Sequence, residues 1–570
     1  MKTGGIGKND MRVAKEFIRK NRKSFWFALL MNLAFLAFLL LFTRPDFESN
    51  DDLALACFFN RSRVSVDAWT DLGGYPYGAL LIFLYGITSK IPWHSVVMYL
   101  VALLSMSAVT CVIQKRFRGS AAIFLPFLLM VFFGYECFIV INFTRVSACA
   151  TAAGVFLIFS SMTDEKKGIL QTIIGACFVF AGYSIRTNEG MGVGLAMTSG
   201  GIYLLLDLFG RDKKGRRLKT ALRYALLLLP VAAFMAGAIG IDSYALHSSP
   251  EREYYKEYSD ARTRLMDHDF PAYAPNQETY EKLGINQNAW KLYRTWNFYD
   301  PDKFSVDVMK QVAALSPQQK ITKDTIRSFF KTYPERFTRN PMFLVYLFVV
   351  CLILFFGRRR WSVLLTIIYQ FLLLTATELY LYADNRFGLM RVELGLWFGA
   401  TLILLLMLDS EKFTLDGRSA LLLMVLALIL DQPQWQGSYR RQQGKALSQR
   451  EASLEVTKQL AADKDHLYLC NISDYPISWS YGPFEAMPEG IASNIVPLGS
   501  WSAASKPYVD TMAAYGVRNP YKDMIGNNKV RVVASRIKTI LTYLHDYYDP
   551  DCTAEPVGQA GSAVIYEIHD

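Results

Sequence analysis

Apolar segments of about 20 residues, the length that an α-helix needs to cross the hydrocarbon core of a bilayer, recur between residues 25 and 431 of this chain. The mean hydropathy is +0.17 and 52% of the residues are hydrophobic, more than in ordinary soluble domains. The pattern predicts a polytopic α-helical membrane protein with about eleven transmembrane helices. The predicted spans are 25–43, 94–114, 120–138, 143–161, 168–185, 190–209, 219–241, 342–357, 361–381, 389–408 and 417–431.

Basic residues cluster in segments between the predicted helices, and they account for the net charge of +11. A cytoplasmic N-terminus places all of these segments on the inner side, as the inside bias of Lys and Arg requires. The charge therefore reflects topology, with an external C-terminus, and we expect no nucleic-acid partner. The first apolar run lacks a small-residue cleavage pattern behind it, which indicates a retained helix. The basic segments are 8–23, 115–118, 165–167, 211–219 and 357–360.

Three long segments are predicted outside: the loops 44–93 and 242–341 and the tail 432–570. The apolar stretch YPYGALLIFLYGI in the first loop is too short to span and predicts an interfacial or re-entrant helix. The tail alternates helix and strand patterns, which predicts a small external α/β domain, and it has no nucleotide-binding glycine motif. We therefore divide the chain into a transmembrane domain, 1–431, and an external domain, 432–570.

An acidic pair, Asp51 and Asp52, follows the first apolar run in the segment SNDDLALACFF. Acids at a helix N-terminus or in a solvated loop are the simple interpretation, since Asp is favoured there. The alternative is a general base at the outer membrane face, because deprotonating a sugar hydroxyl needs a positioned carboxylate. The residues alone leave both interpretations open.

Several arginines are predicted in the outer loops or at the outer ends of helices. A single arginine at a helix end usually reaches towards lipid head groups. Guanidinium groups also match phosphate oxygens in pairs and neutralise the charge of a departing phosphate. Because several helices contribute such residues, we predict that they bind the phosphate of a lipid donor. The residues are Arg61, Arg63, Arg145, Arg186, Arg386 and Arg391.

Glu136 lies near the end of an apolar run, in GYECFIVINFT. A carboxylate in this position is costly and usually has a partner. Arg145 or Arg186 is the structural candidate for that partner. The alternatives are a second acid in the site or a metal ligand.

The cysteines and histidines indicate no zinc site, because no CxxC or Cys/His spacing occurs. No histidine falls within a predicted spanning core, which argues against a histidine-dependent membrane acyltransferase. We expect no cofactor, with a divalent cation as the open alternative. Cys470 and Cys552 are both predicted outside and form the candidate disulfide.

The order of these elements resembles the GT-C class of integral membrane glycosyltransferases. In that class a first helix leads to an outer loop with an early acidic pair and a short helix opened by Pro, here SNDDLALACFF and YPYGALLIFLYG. More narrowly, the chain is similar to uncharacterised multi-pass proteins of Gram-positive bacteria, some called glucosyltransferase-like. The segments that carry this similarity are NDD, PYGALLIFLYGI, IPWHSV, INFTRVSACATAAG, NAWKLYRTWNFYD, PLGSWSAASKPYVDTMAAYGVRNPYKDMI and NKVRVV.

The GT-C resemblance implies a polyprenyl-phosphate-linked sugar donor and inversion at the anomeric carbon. By position, Asp51 would be the base with Asp52 beside it, and Glu136 falls where some families keep a second acid. No sequon-reading motif of the oligosaccharyltransferase type is present, which argues against protein N-glycosylation.

The sequence thus predicts a membrane glycosyltransferase that acts at the outer face of the cell membrane. It would transfer a sugar to a surface glycan in cell-wall or other polysaccharide biosynthesis. One rival is a polysaccharide polymerase or ligase with a diphosphate-linked donor, which would need the arginines more than the acids. The other is a lipid-glycan flippase or transporter, a class that often shows two similar halves and binds near the midplane.

Overall fold

The computed structural model describes residues 21, 23–164, 168–187, 189–209, 214–316, 321–335, 340–357, 361–433 and 439–570. The chain divides into two compact units. The first unit consists of residues 1–46, 97–239 and 321–440, and the second consists of 47–96, 240–320 and 441–570. The basic segments 8–20, 165–167 and 358–360 lie outside the described residues.

Long apolar helices dominate the first unit, because their runs of Leu, Phe, Ala and Val favour helix over their full length. One of them contains Pro126 and continues through a π-helical turn, Met130–Gly134. A proline removes a backbone donor, so a local departure from regular α-helix beside it is expected. The long helices that lie wholly or mainly in this unit are Phe25–Phe42, Trp93–Arg116, Ala121–Leu129 with Tyr135–Phe138, Phe143–Thr163, Ile169–Ile185, Glu189–Phe209, Lys214–His247, Pro341–Phe356, Trp361–Ala383, Met390–Met407 and Gly417–Pro433. The short helices Lys323–Thr332 and Tyr333–Glu335 complete it.

Eight helices among the described residues have the length and apolar composition to cross a membrane. Three further predicted spans correspond to Ile169–Ile185, Pro341–Phe356 and Gly417–Pro433, which are only 17, 16 and 17 residues long. The protein is therefore a polytopic helical membrane protein. The count of eleven and the orientation of the termini stay predictions. The eight helices are Phe25–Phe42, Trp93–Arg116, Ala121–Phe138, Phe143–Thr163, Gly192–Phe209, Arg217–His247, Trp361–Ala383 and Met390–Met407.

Small residues let two membrane helices approach closely in the first unit. Phe143–Thr163 packs along Ile169–Ile185, and a Cβ built on Gly154 would lie 2.4 Å from the carbonyl oxygen of Gly175. A Cβ on Gly182 would lie 2.2 Å from the hydroxyl of Thr151. Glycine is therefore required at this crossing, as is usual where helix backbones touch in membranes.

A mixed five-stranded sheet forms the centre of the second unit. The strands are β3 (Leu467–Cys470), β4 (Ile495–Pro497), β5 (Val530–Ala534), β6 (Thr553–Ala560) and β7 (Ala563–His569), after the two-residue strands β1 (Asp46–Phe47) and β2 (Val140–Ile141) earlier in the chain. The order is β4-β3-β5-β7-β6. β3 pairs in parallel with β4 and β5, whereas β7 is antiparallel to β5 and β6.

The core of the second unit joins this sheet to segments far away in sequence. Leu53 and Cys57 pack in one buried cluster with residues of β3, β4, β5 and β7. The tail therefore forms one unit with the ranges 47–96 and 240–320. The separate domains 1–431 and 432–570 stay a prediction. The helices of this unit are Asn50–Phe59, Tyr75–Ile87, Pro250–Met266, Ala274–Asn276, Gln277–Lys282, Gln287–Tyr293, Val306–Ala313, Tyr439–Ala462, Ile472–Asp474, Pro476–Trp479, Lys506–Ala513, Pro520–Asp523 and Ile537–Tyr547.

Candidate functional site

The acidic pair lies in the first turn of the helix Asn50–Phe59. Asp52 is fully buried, whereas Asp51 is partly exposed. The hydroxyl of Ser49 donates to Asp52 Oδ2 at 3.3 Å. Neither acid is the N-cap, which is Ser49, but the partial positive charge of the helix N-terminus stabilises carboxylates in this turn.

His94 faces the buried acid. It follows Pro92 and lies at the start of the helix Trp93–Arg116, and its Nε2 is 3.8 Å from Asp52 Oδ1. This separation is within ion-pair range but too long for a hydrogen bond. The backbone N–H of His94 donates to the hydroxyl of Tyr85 at 3.2 Å, which fixes the position of the His94 backbone.

The other ring nitrogen of His94 contacts a tyrosine. Nδ1 lies 2.9 Å from the hydroxyl of Tyr77. Burial, with smaller contributions from Tyr85 and Asp52, raises the pKa of Tyr77 well above its ordinary value. Tyr77 therefore keeps its proton, and its hydroxyl and His94 Nδ1 are joined by a hydrogen bond.

Sequence reasoning gave His94 no role, although it stands in the quoted segment IPWHSV. The signal available was its position in the first turn of the helix Trp93–Arg116, which follows the helix Tyr75–Ile87 that contains Tyr77 and Tyr85. Its contact with Asp52 joins residues 42 positions apart, and no local pattern encodes such a distance.

Arg61 and Arg63 have different surroundings in the second unit. Arg61 is exposed and has a positive φ of 60°, and its carbonyl accepts the backbone N–H of Gly490 at 3.0 Å. Arg63 is buried, and its Nη2 donates to the hydroxyl of Tyr475 at 2.9 Å. The side chain of Arg61 is thus exposed to solvent, whereas that of Arg63 is buried.

Glu136 and Arg145 form a buried ion pair in the first unit. Arg145 also donates to the backbone carbonyl of Glu136 at 3.2 Å. Of the two structural partners expected for Glu136, Arg145 is confirmed. A guanidinium held in this way is less accessible to a ligand than an exposed one.

Arg186 caps the end of the helix Ile169–Ile185 beside this pair. Its Nη1 donates to the hydroxyl of Thr144 at 2.7 Å, and its guanidinium lies 4.7 Å from the centre of the Phe143 ring. The side chain is partly exposed. Its contacts with Thr144 and Phe143 hold the side chain against the neighbouring helix Phe143–Thr163.

Arg386 and Arg391 lie before and in the first turn of the helix Met390–Met407. Arg386 Nε is 3.2 Å from Asp384 Oδ2. Arg391 is partly exposed and has no hydrogen-bond or ion-pair partner among the described residues. Of the predicted phosphate ligands in the first unit, Arg391 is thus the least engaged.

The predicted set divides between the two units. Asp51, Asp52, Arg61 and Arg63 belong to the second unit, whereas Glu136, Arg145, Arg186, Arg386 and Arg391 belong to the first. Among the described residues no group of three His, Cys, Asp or Glu side chains could hold a metal ion. Cys470 and Cys552 are free, buried thiols, so the candidate disulfide is absent from the described chain.

Comparisons with known proteins gave no matching family model and no matching curated protein. Two crystal structures of ArnT from Cupriavidus metallidurans are similar to this chain, one in the apo state and one bound to undecaprenyl phosphate. Identity is 12% in both, with TM-scores of 0.40 and 0.39, over 94% and 95% of this chain and 97% of each ArnT chain. Likeness at this level assigns neither a substrate nor a catalytic residue.

Proposed function

We propose that this protein is a GT-C-type membrane glycosyltransferase. It transfers a sugar from a polyprenyl-phosphate donor to a surface glycan at the outer face of the cell membrane, with inversion. The observation that carries the proposal is the acidic pair that follows the first apolar helix, in which Asp52 is buried against His94 while Asp51 keeps access to solvent. A partly exposed carboxylate beside a fixed one suits a general base that must meet a substrate hydroxyl.

The proposed step balances without a redox partner. An acceptor hydroxyl oxygen forms a bond to the anomeric carbon, and the bond from that carbon to the phosphate oxygen breaks. The acceptor proton passes to Asp51, and the polyprenyl phosphate leaves with both electrons of the broken bond. Attack opposite the leaving phosphate inverts the anomeric carbon.

Asp52 has a positioning role in this proposal. Being fully buried, it cannot receive a proton from a glycan hydroxyl directly. Its contacts with Ser49 and His94 fix the first helical turn, and therefore the direction in which Asp51 points.

Charge on the departing phosphate needs guanidinium groups that can reach a ligand. In the first unit we assign this role to Arg391 and Arg186, whose side chains are partly exposed. Arg145 is held by Glu136 and is assigned a structural role instead. The accessible arginines are the ones whose removal should weaken binding of the lipid donor.

The donor class is tested with the purified protein in lipid vesicles. The protein is incubated with polyprenyl-phosphate glucose or polyprenyl-phosphate mannose, and in parallel with the corresponding diphosphate-linked sugars. We expect release of polyprenyl monophosphate that depends on an added glycan acceptor. Turnover of the diphosphate donors alone would favour a polymerase or ligase, and movement of intact lipid across the vesicle without turnover would favour a transporter.

A further inference from the structure

Arg63 carries a buried charge that the described residues leave partly unsatisfied. Its side chain is 7% exposed. Nη2 donates to the Tyr475 hydroxyl, but Nη1 is buried without any hydrogen-bond partner. Among the described residues no carboxylate lies within 4 Å of this guanidinium. Arginine stays charged in proteins, so burial does not remove the charge.

Such an arrangement is costly unless a counter-charge is supplied. A buried ion without a partner loses several kcal/mol of hydration, and proteins therefore pair buried charges almost always. The neighbours of Arg63 that bear titratable groups are Tyr475, Cys57 and Tyr508, none of which is an anion at neutral pH. A bound anionic group would supply the missing counter-charge.

A small cavity of about 20 Å³ is lined in part by Arg63. Its polar lining consists of Arg63, the Tyr475 hydroxyl and three serines, and no acidic residue contributes to it. The serine hydroxyls can donate to an anion, and the positive charge selects for one. The lining residues are Ala54, Phe58, Arg63, Tyr475, Ile477, Ser478, Ser500 and Ser502.

The walls of the cavity are held firmly. The Phe58 ring stacks on the buried Trp501 with centroids 5.3 Å apart, and the Trp501 carbonyl accepts from the Tyr255 hydroxyl at 3.2 Å. Ser500 and Ser502 lie with their hydroxyl oxygens 3.1 Å apart. Donors fixed in this way need little reorganisation to receive a ligand, which favours binding.

The mouth of the cavity is accessible, because Ala54, Ser478 and Ser500 are partly exposed. The enclosed volume exceeds what one water molecule needs but does not admit a sugar ring. A group that projects from a larger molecule fits this shape. A carboxylate is the compact anion whose two oxygens match the fork of a guanidinium.

We propose that Arg63, Ser500 and Ser502 bind a carboxylate that projects from an acidic sugar of the acceptor glycan. The pocket would then select acceptors that carry uronic acids. The identity of this molecule as an acceptor rests on the proposed function, whereas the carboxylate chemistry of the pocket does not. In this proposal Arg63 binds the acceptor glycan and not the phosphate of the lipid donor.

The test is calorimetric binding to the full-length protein in detergent, with glucuronate and its neutral counterpart glucose as probes. We expect glucuronate to bind and glucose to fail. Ser502→Ala should weaken glucuronate binding about tenfold, because it removes one hydrogen bond to a charged group. Arg518→Gln, which removes an exposed arginine elsewhere in the same unit, should leave it unchanged.

Further ligands and variants separate the sources of the anion. Acetate binding as tight as glucuronate would show that the pocket takes a free small carboxylate and would overturn the acceptor assignment. Binding of inorganic phosphate alone, or no binding of any anion, would overturn the carboxylate pocket. Asp51→Asn should bind glucuronate as the wild type does, so a failure of sugar transfer leaves the carboxylate pocket supported. Failure of glucuronate binding in a wild-type protein that transfers sugar would reject the pocket alone. Arg63→Gln is a second variant and should abolish binding if it folds.

Discussion

At the scale of single residues, the acidic pair illustrates how environment separates two identical side chains. Asp51 and Asp52 are neighbours in one helical turn, yet only Asp52 is enclosed, between Ser49 and His94. Burial suits a carboxylate that orients its surroundings, and exposure suits one that exchanges a proton with a substrate. The resemblance named Asp51 as the base, but the burial of Asp52 against His94 could not be predicted, because burial depends on residues far along the chain.

His94→Gln is expected to lower kcat by about tenfold while KM stays unchanged, because it disturbs Asp52 and, through it, the base. Steady-state kinetics with the polyprenyl-phosphate donor measure both constants. His247→Gln, an exposed histidine in the same unit, is the control and should behave as wild type. A rise in KM with unchanged kcat would show that His94 acts in binding instead.

At the scale of elements, the ion pair between Asp67 and Arg252 joins the loop before the helix Tyr75–Ile87 to the helix Pro250–Met266. Arg252 Nε donates to both carboxylate oxygens of Asp67 at 3.0 and 3.1 Å, and Nη2 donates at 2.7 Å. The pair is largely buried. Such a three-bond contact fixes a long connection that has little regular structure of its own.

A double-mutant cycle with Asp67→Asn and Arg252→Gln should give a coupling energy of about 2 kcal/mol in the free energy of unfolding. The exposed pair Lys256–Asp260 in the same helix is the matched comparison and should give less than about 0.5 kcal/mol. Thermal or denaturant unfolding in detergent measures both cycles. Equal coupling in the two pairs would contradict the role assigned to Asp67.

The crossing of Phe143–Thr163 and Ile169–Ile185 depends on glycine. Gly154→Ala should lower the unfolding free energy by about 2 kcal/mol, because the added methyl group meets the carbonyl of Gly175. Gly201→Ala, in a membrane helix where a Cβ meets nothing within 4 Å, should be neutral or slightly stabilising. Unfolding midpoints of the two variants compare them directly, and equal midpoints would show that the helices can separate at no cost.

Apolar helices were the most predictable elements, because a long hydrophobic run encodes its own boundaries. The predicted span 25–43 became Phe25–Phe42, and 389–408 became Met390–Met407. In the tail, the segments HLYLC, KVRVVAS and AVIYEIHD have strand patterns, and β3, β5 and β7 lie in these three segments. Two strands of the tail were missed: β4 has only three residues, and β6 is mostly exposed and contains Pro556 and Gly558, so that it resembles a loop although it pairs with β7.

At the scale of the whole molecule, burial differs sharply between membrane helices. Only 22% of Phe25–Phe42 is buried, and only 11% of an apolar stretch of 18 residues within Arg217–His247, against 89% of Ala121–Phe138. Leucine-rich helix faces that protein does not cover are suited to lipid. Hydropathy predicted all three helices as membrane spans, but it could not predict how much of each is buried, because a lipid-facing leucine and a buried leucine are equally apolar.

The least predictable feature was that three segments far apart in the chain pack together into the second unit. Its three ranges nearly match the three segments predicted outside, 44–93, 242–341 and the tail. Their packing into one unit rests on contacts such as Tyr293 with Tyr543, whose hydroxyl oxygens lie 2.6 Å apart across 250 positions. The burial of Arg63 was equally unpredictable, because its hydrogen-bond partner Tyr475 lies 412 positions further along the chain.

The central claim is that Asp51 takes the proton of the acceptor during sugar transfer. The most direct measurement is kcat for transfer from a polyprenyl-phosphate sugar by the Asp51→Asn variant, with Asp260→Asn as a control for loss of an exposed acid. We predict a loss of about a hundredfold or more in kcat with an unchanged unfolding midpoint, because the amide cannot accept the proton. Transfer at the wild-type rate by folded Asp51→Asn protein would contradict the claim.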